Sequence, residues 1–185
     1  MAEYYLISQL PSLDGIGETA PLPITEERFL ELCNRFLGKK LWSEVEGMTL
    51  LPTVDPQKTN SSLLNAWNEG ERSLRLALSK ARAEKMGKPF DSPKRSLPTD
   101  VVKTACSAVE MENPLEAERF LFRYRLDFLE TLRPMDAFSG EYLFYYGIKL
   151  KLMLRMRGFE TESGKEAYQN RYNSILNGDQ LEALS

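Results

Sequence analysis

The sequence predicts a mainly α-helical protein, a single bundle of about six helices with a short N-terminal segment that is either extended or helical. Three observations predict it. Apolar residues recur at steps of three and four over long stretches, as amphipathic and buried helices require. The starts of those stretches carry capping residues, Thr25, Ser61 and the pair Asn113–Pro114, which supply the acceptor or preset backbone that a helix N-terminus needs. Between them stand clusters of proline and glycine, which stop helices. The 185 residues suffice for one domain with a real core. Within that domain, residues 1–60 form an N-terminal segment with short helices. Residues 61–112 hold a long amphipathic helix, a linker and a further helix. Residues 113–178 form a C-terminal helical core, and 179–185 a tail.

In chain order, residues 1–10 (MAEYYLISQL) are short, apolar and rich in aromatic and β-branched types. A lone strand and the first turns of a helix fit them equally. Residues 14–23, with Gly15, Gly17, Pro21 and Pro23, are loop. Gly15–Ile16–Gly17 lacks the third glycine and the helix that a dinucleotide fingerprint requires. Thr25 caps a helix over 26–37 with Glu26 and Glu27 in its first turn. That helix turns Phe29, Leu32, Cys33, Phe36 and Leu37 inward and stops at Gly38. A helical turn around 41–45 precedes Gly47, and 52–56 is another break. Ser61 or Ser62 then caps a longer helix to about Met86, with Leu63, Leu64, Trp67, Leu74, Leu78 and Ala81 as its stripe. Arg72, Arg75, Lys80, Arg82 and Lys85 load its later turns with positive charge. Gly70 weakens its middle by about 1 kcal/mol relative to alanine and marks a bend or a close helix contact. Residues 87–98 (GKPFDSPKRSLP) are a surface linker. Its Ser92–Pro93–Lys94–Arg95 run has the look of a kinase target, but exposed loop is the simpler reading. A helix over 99–111 turns Val101, Val102, Ala105, Cys106 and Val109 inward.

The rest of the chain is organised around 113–172. Asn113 is the cap, Pro114 takes the first helical position, and Glu116 stands where its carboxylate can reach back to the cap. Ala117, Leu121, Tyr124, Phe128 and Leu132 form one apolar row, and Phe122, Leu126 and Leu129 a second. So wide a stripe implies burial against more than one neighbour. Arg123 with Asp127 and Glu116 with Arg119 are spaced to pair on the remaining surface, and Pro134 ends the element. The next helix runs from Ser139 to Gly158. Its apolar run, 142–154, is interrupted by Lys149 and Lys151 and is too short to cross a bilayer, which takes about 20 residues. It reads as a buried helix with one cationic wet edge formed by Lys149, Lys151, Arg155 and Arg157. Positive charge suits the last turns of a helix. The functional alternative is a docking surface for an acidic partner, and these four residues are the candidate partner contacts. A third helix over 162–177 is expected to turn Ala167, Tyr168, Tyr172, Ile175 and Leu176 inward and to stop near Gly178.

The search for chemistry returns mostly exclusions. Hydrophobic content of 42% and charged content of 28% are an ordinary globular balance. A net charge of −3 makes nucleic acid a poor partner, since phosphate binding draws on cationic excess. Without a single histidine, the chain cannot build Ser-His-Asp or Cys-His pairs and lacks the commonest metal ligand. No phosphate-binding GxxxxGK[ST], CxxC or calcium-loop pattern occurs. Cys33 and Cys106 have no neighbouring ligand residues, which fits reduced thiols in the cytoplasm better than zinc or a disulfide. The N-terminus lacks the basic and long apolar regions of a secretory signal. The acid pairs Glu26/Glu27, Glu116/Glu118 and Glu160/Glu162 sit where helix starts favour them. No acid is expected inside an apolar stripe, as a di-metal carboxylate site would demand. The expectation is a non-catalytic protein with no catalytic residue, cofactor or metal.

The runs NPLEAERFLFRYRLDFLETL and YLFYYGIKLKLMLRMRGFETESGKEAYQNRYNSIL resemble the C-terminal helical region of the C (or d) subunit of V/A-type rotary ATPases. The matching residues are Asn113, Pro114, Glu116, Glu118, Arg119, Tyr146, Ile148, Lys149, Leu150, Lys151, Thr161, Glu162, Gly164 and Lys165. The opening AEYYLISQLPSL is similar to an uncharacterised bacterial family encoded within V-type ATP synthase operons. The resemblance implies a subunit or assembly factor that couples the central stalk to the membrane rotor ring. Its partners would be protein subunits of that machine. It implies a cytoplasmic protein peripheral to the inner membrane, with no span of its own. Two rival readings are a free-standing helical adaptor and a small enzyme using Asp/Glu chemistry, the latter requiring acids turned into a pocket.

Overall fold

The computed structural model describes residues 2–18, 20–52, 58–91 and 96–159, together with 165, 168, 169, 171 and 172. Among the described residues the chain forms seven helices and no strand. They are α1 (Ala2–Gln9), α2 (Glu26–Phe36), α3 (Lys39–Glu46), α4 (Ser62–Lys85), α5 (Thr99–Glu110), α6 (Pro114–Thr131) and α7 (Gly140–Arg157). The capping residues do what their chemistry suggests. Thr25, Ser61 and Asn113 accept from the backbone N–H groups of Arg28, Leu64 and Leu115, each satisfying an amide the helix itself cannot.

The N-terminal segment is helical. Leu6 and Ile7 are buried in the main core, while Tyr4 and Tyr5 stay exposed. Tyr4 stacks on Phe138 at 4.3 Å between ring centroids, and Tyr5 meets Phe36 edge-on at 5.3 Å. Helix α7 is the spine: every residue from Leu143 to Leu150 is buried, so neighbours cover it all round. Those neighbours are α2, α3, α4 and α6. Burying each such leucine or aromatic contributes about 1.5–3 kcal/mol.

Two glycines set how closely the helices approach. A Cβ on Gly147 would collide with Met48 and lie 3.1 Å from the Phe29 ring. A Cβ on Gly70 would run into the Phe128 ring, which stacks on Trp67 at 6.0 Å. Of the two readings of Gly70, the close contact is therefore the one observed.

A second, smaller core joins α4, α5 and α6 through Leu74, Ala77, Leu78, Val101, Ala105, Ala108 and Leu121. Here Val102 departs from expectation. It is exposed, because among the described residues α5 packs chiefly on α4 and α6 and a narrow seam suffices for so few neighbours. The third helix expected over 162–177 falls largely outside the described residues. Tyr168 and Tyr172, which are described, are exposed and stack on each other at 6.1 Å rather than facing the bundle. The Ser92–Arg95 run and the tail also lie outside the described residues.

Candidate functional site

The cationic edge of α7 is largely engaged within the molecule. Lys149 is buried, and its Nζ donates to Asp14 Oδ1 at 2.6 Å, Glu130 Oε1 at 2.8 Å and Tyr145 Oη at 3.1 Å. Lys151 pairs with Glu26 at the start of α2. Arg157 donates to the carbonyls of Gly17 and Ala20. The acidic and carbonyl partner of these three cations is thus the chain's own stretch 14–26. Arg155, half exposed, pairs with Glu118 of α6 at 3.4 Å. As a correction to the expected wet edge, Lys149 is no surface residue. The helix is enclosed at that turn and the ammonium is held by two carboxylates.

The same loop takes the arginines expected to pair along α6. Glu18 accepts from Arg123 at 3.1 Å and lies 3.9 Å from Arg119, so neither makes the intrahelical pair its spacing suggested. Long-range closure of the loop outcompetes a local pair that is worth only about 0.2–0.5 kcal/mol.

Around Lys149 the ionisation equilibria follow from geometry. The Lys149 ammonium bonded to it holds the Asp14 carboxyl below its usual range despite burial. Burial opposes ionisation of Glu130, but hydrogen bonds from Lys149 and Tyr145 outweigh it and lower its pKa. Burial and the bond to Glu130 push the Tyr145 phenol up to about 12. Burial also disfavours charged Lys149, and the bonds to Asp14, Glu130 and Tyr145 reverse that, raising its pKa. Arg133 closes the cluster, 3.4 Å from Asp14 and 3.6 Å from Glu130, over the Tyr145 ring.

A second buried charge went unpredicted. Glu71 sits on the buried face of α4 between Trp67 and Leu74, which corrects the expectation that no acid occupies an apolar stripe. Its carboxylate accepts two hydrogen bonds at 2.9 Å from Arg125 of α6 and one at 2.9 Å from Arg75. The steps of four and three from Trp67 to Glu71 to Leu74 were the available signal. Glu141, in the first turn of α7, was also missed. It accepts from the Ser61 hydroxyl at 2.8 Å and the Leu63 N–H at 3.0 Å, putting a carboxylate on the positive end of α4.

Hollows open on the surface among the described residues. One of about 600 Å³ lies among the starts of α3, α4 and α7, with Lys39, Lys40, Glu44 and Glu141 on its walls. One of about 350 Å³ lies between the ends of α4 and α5 and the start of α6. A third of about 340 Å³ adjoins it across Lys85 and Val109. Neither Glu71 nor Lys149 lines any of them. Both charged clusters serve chemically as locks between elements, with their polar valences turned on one another.

Among the described residues no three His, Cys, Asp or Glu side chains are placed to hold a metal ion, and no helix is long and apolar enough to cross a membrane. Comparison of the chain with protein-family models, with curated proteins and with solved structures finds no match.

Proposed function

We propose that this chain is a non-catalytic subunit or assembly factor of a bacterial V/A-type ATP synthase, joining the central stalk to the membrane rotor ring. The observation that carries the reading is the resemblance of the α6 and α7 segments to the C/d subunit, at Asn113, Pro114, Glu116, Glu118, Arg119 and the Tyr146–Lys151 run. A coupler that transmits force needs a stiff body. An enclosed α7 and charge locks that tie the N-terminal loop to α6 and α7 are of use to such a body. In this reading the protein reaches the inner membrane through its partners.

The test is purification of the native protein from membranes with identification of bound subunits. Recovery with stalk or ring subunits is the expected result, and recovery without any ATP synthase subunit overturns the proposal. Lys151→Glu would break the pair with Glu26 and confuse binding with folding. Arg155→Glu is the cleaner variant, because that side chain is half exposed. It should weaken co-purification while leaving helix content unchanged. A free-standing adaptor is the second reading, favoured by the apolar-floored hollow at the end of α4.

A further inference from the structure

We infer that the hollow between the last turns of α4, the end of α5 and the first turns of α6 receives an acidic amphipathic helix from a protein partner. The inference rests on the reading of this chain as an interaction protein and adds the place and chemistry of one contact. The floor is apolar, with Leu78, Ala108 and Leu121 from the small core and Met111 beside them. Met86 stands at its edge and is exposed. Methionine is the side chain best able to reshape itself around a partner's apolar groups. About 350 Å³ is too little for a whole helix, but it admits apolar side chains one turn apart, the way an amphipathic helix seats in a groove.

Charge selects the partner. Of the charged residues lining the hollow, Glu118 is already paired with Arg155. Arg82 makes no ion pair among the described residues, and Lys85 donates to the Val109 carbonyl, a neutral acceptor. The uncompensated charge on the rim is therefore positive, and carboxylates flanking the partner's apolar anchors would complete it. Glu84 and Glu110 line the adjoining hollow on the far side of Lys85, so the partner's acids belong on the Arg82 side.

The probe is a fluorescein-labelled helical peptide with leucines at steps of three and four and glutamates elsewhere. Its control has every glutamate replaced by lysine. In fluorescence anisotropy with the full chain, the acidic peptide should bind saturably and the lysine peptide at least tenfold more weakly. Arg82→Glu should weaken the acidic peptide at least tenfold and Met86→Ser severalfold. Both side chains are exposed, so circular dichroism and melting should stay unchanged. Equal binding of the two peptides, or undiminished binding to Arg82→Glu, overturns the inference. So does a dimer in sedimentation that Arg82→Glu dissolves, since the occupant would then be a second copy. Peptide binding and membrane co-purification are separate readouts, so the failure of one leaves the other standing.

Discussion

Two buried charges, Lys149 and Glu71, are built on one plan with opposite sign. Each is a single ion, 8% and 3% exposed respectively, set between two ions of opposite charge. They differ in where those partners stand. Asp14 and Glu130, which hold Lys149, keep 52% and 41% of their side-chain surface in water. Arg125, which grips Glu71 with two hydrogen bonds, keeps only 12%. Removing Lys149 would leave carboxylates that water can take over. Removing Glu71 would leave a guanidinium that it largely cannot. The worth of a buried ion pair lies less in the attraction gained than in the charge orphaned when it is broken.

The largest expected effect is therefore at Glu71. Glu71→Gln should destabilise by about 3–5 kcal/mol, read as a fall in the urea midpoint at unchanged slope. Replacing both members with apolar groups of similar size, Glu71→Leu with Arg125→Met, should recover most of that loss, since no charge is left buried. A double variant as unstable as Glu71→Gln would break the comparison, because the pair itself and not the orphaned charge would then be what matters.

Lys149→Met comes next, at about 1–3 kcal/mol. The methionine keeps most of the buried stem, and Arg133 remains 3.4 Å from Asp14 and 3.6 Å from Glu130 to hold part of their charge. A loss as large as that of Glu71→Gln would mean that the half-exposed carboxylates are as trapped as Arg125.

Neither lock was fully legible in the sequence, and the reasons differ. Helices were readable because their signals are local: caps at Thr25, Ser61 and Asn113, and apolar spacing between them. The burial of Lys149 was not, because a lysine ordinarily carries its charge out to solvent even from an apolar helix. Its partners Asp14 and Glu130 lie 135 and 19 residues away, a pairing no local rule contains. Glu71 was half legible, since its place in the α4 stripe could be counted but its partner Arg125, 54 residues on, could not. Val102 shows the converse limit, because spacing gave a wide inward face on α5 and only the number of neighbours decides how much of it is covered. The candidate cations Lys151 and Arg157 lie on α7, but their internal partners on the 14–26 stretch depend on the closed fold.

Acid tests the Lys149 lock by itself. Asp14 and Glu130 are held below their ordinary values of 3.8 and 4.5. A lowered carboxyl stabilises fully above its unfolded value, and that contribution drains away as pH falls through the folded one. Lys149 is raised above 10.5, so its share is intact below that value and fades as pH rises through its higher folded one. The lock should thus be fully engaged between about pH 5 and 10. Asp14→Asn should lower stability at pH 7 by under about 1 kcal/mol, since the group is half in water. Its difference from the natural chain should shrink by pH 3. A difference that held constant down to pH 3 would mean that Asp14 acts through shape and not through its charge.

The smallest effect separates the two arms of the Glu71 lock. Arg75 sits one turn from Glu71 on the same helix and is 40% exposed, whereas Arg125 reaches across from α6 and is 12% exposed. Truncating Arg75 removes one hydrogen bond but leaves the carboxylate with both bonds from Arg125, so the buried charge stays matched. Arg75→Ala should therefore cost about 0.3–1 kcal/mol, as an exposed i,i+4 pair does. Arg125→Ala leaves Glu71 buried with only the half-exposed Arg75 and should cost several times more. Both arms are guanidiniums on one carboxylate, so the ratio of the two losses, measured by urea unfolding at one pH, weighs a buried arm with two bonds against a half-exposed arm with one. A ratio near one would mean that burial does not govern these locks, and the contrast between Lys149 and Glu71 would then need another cause.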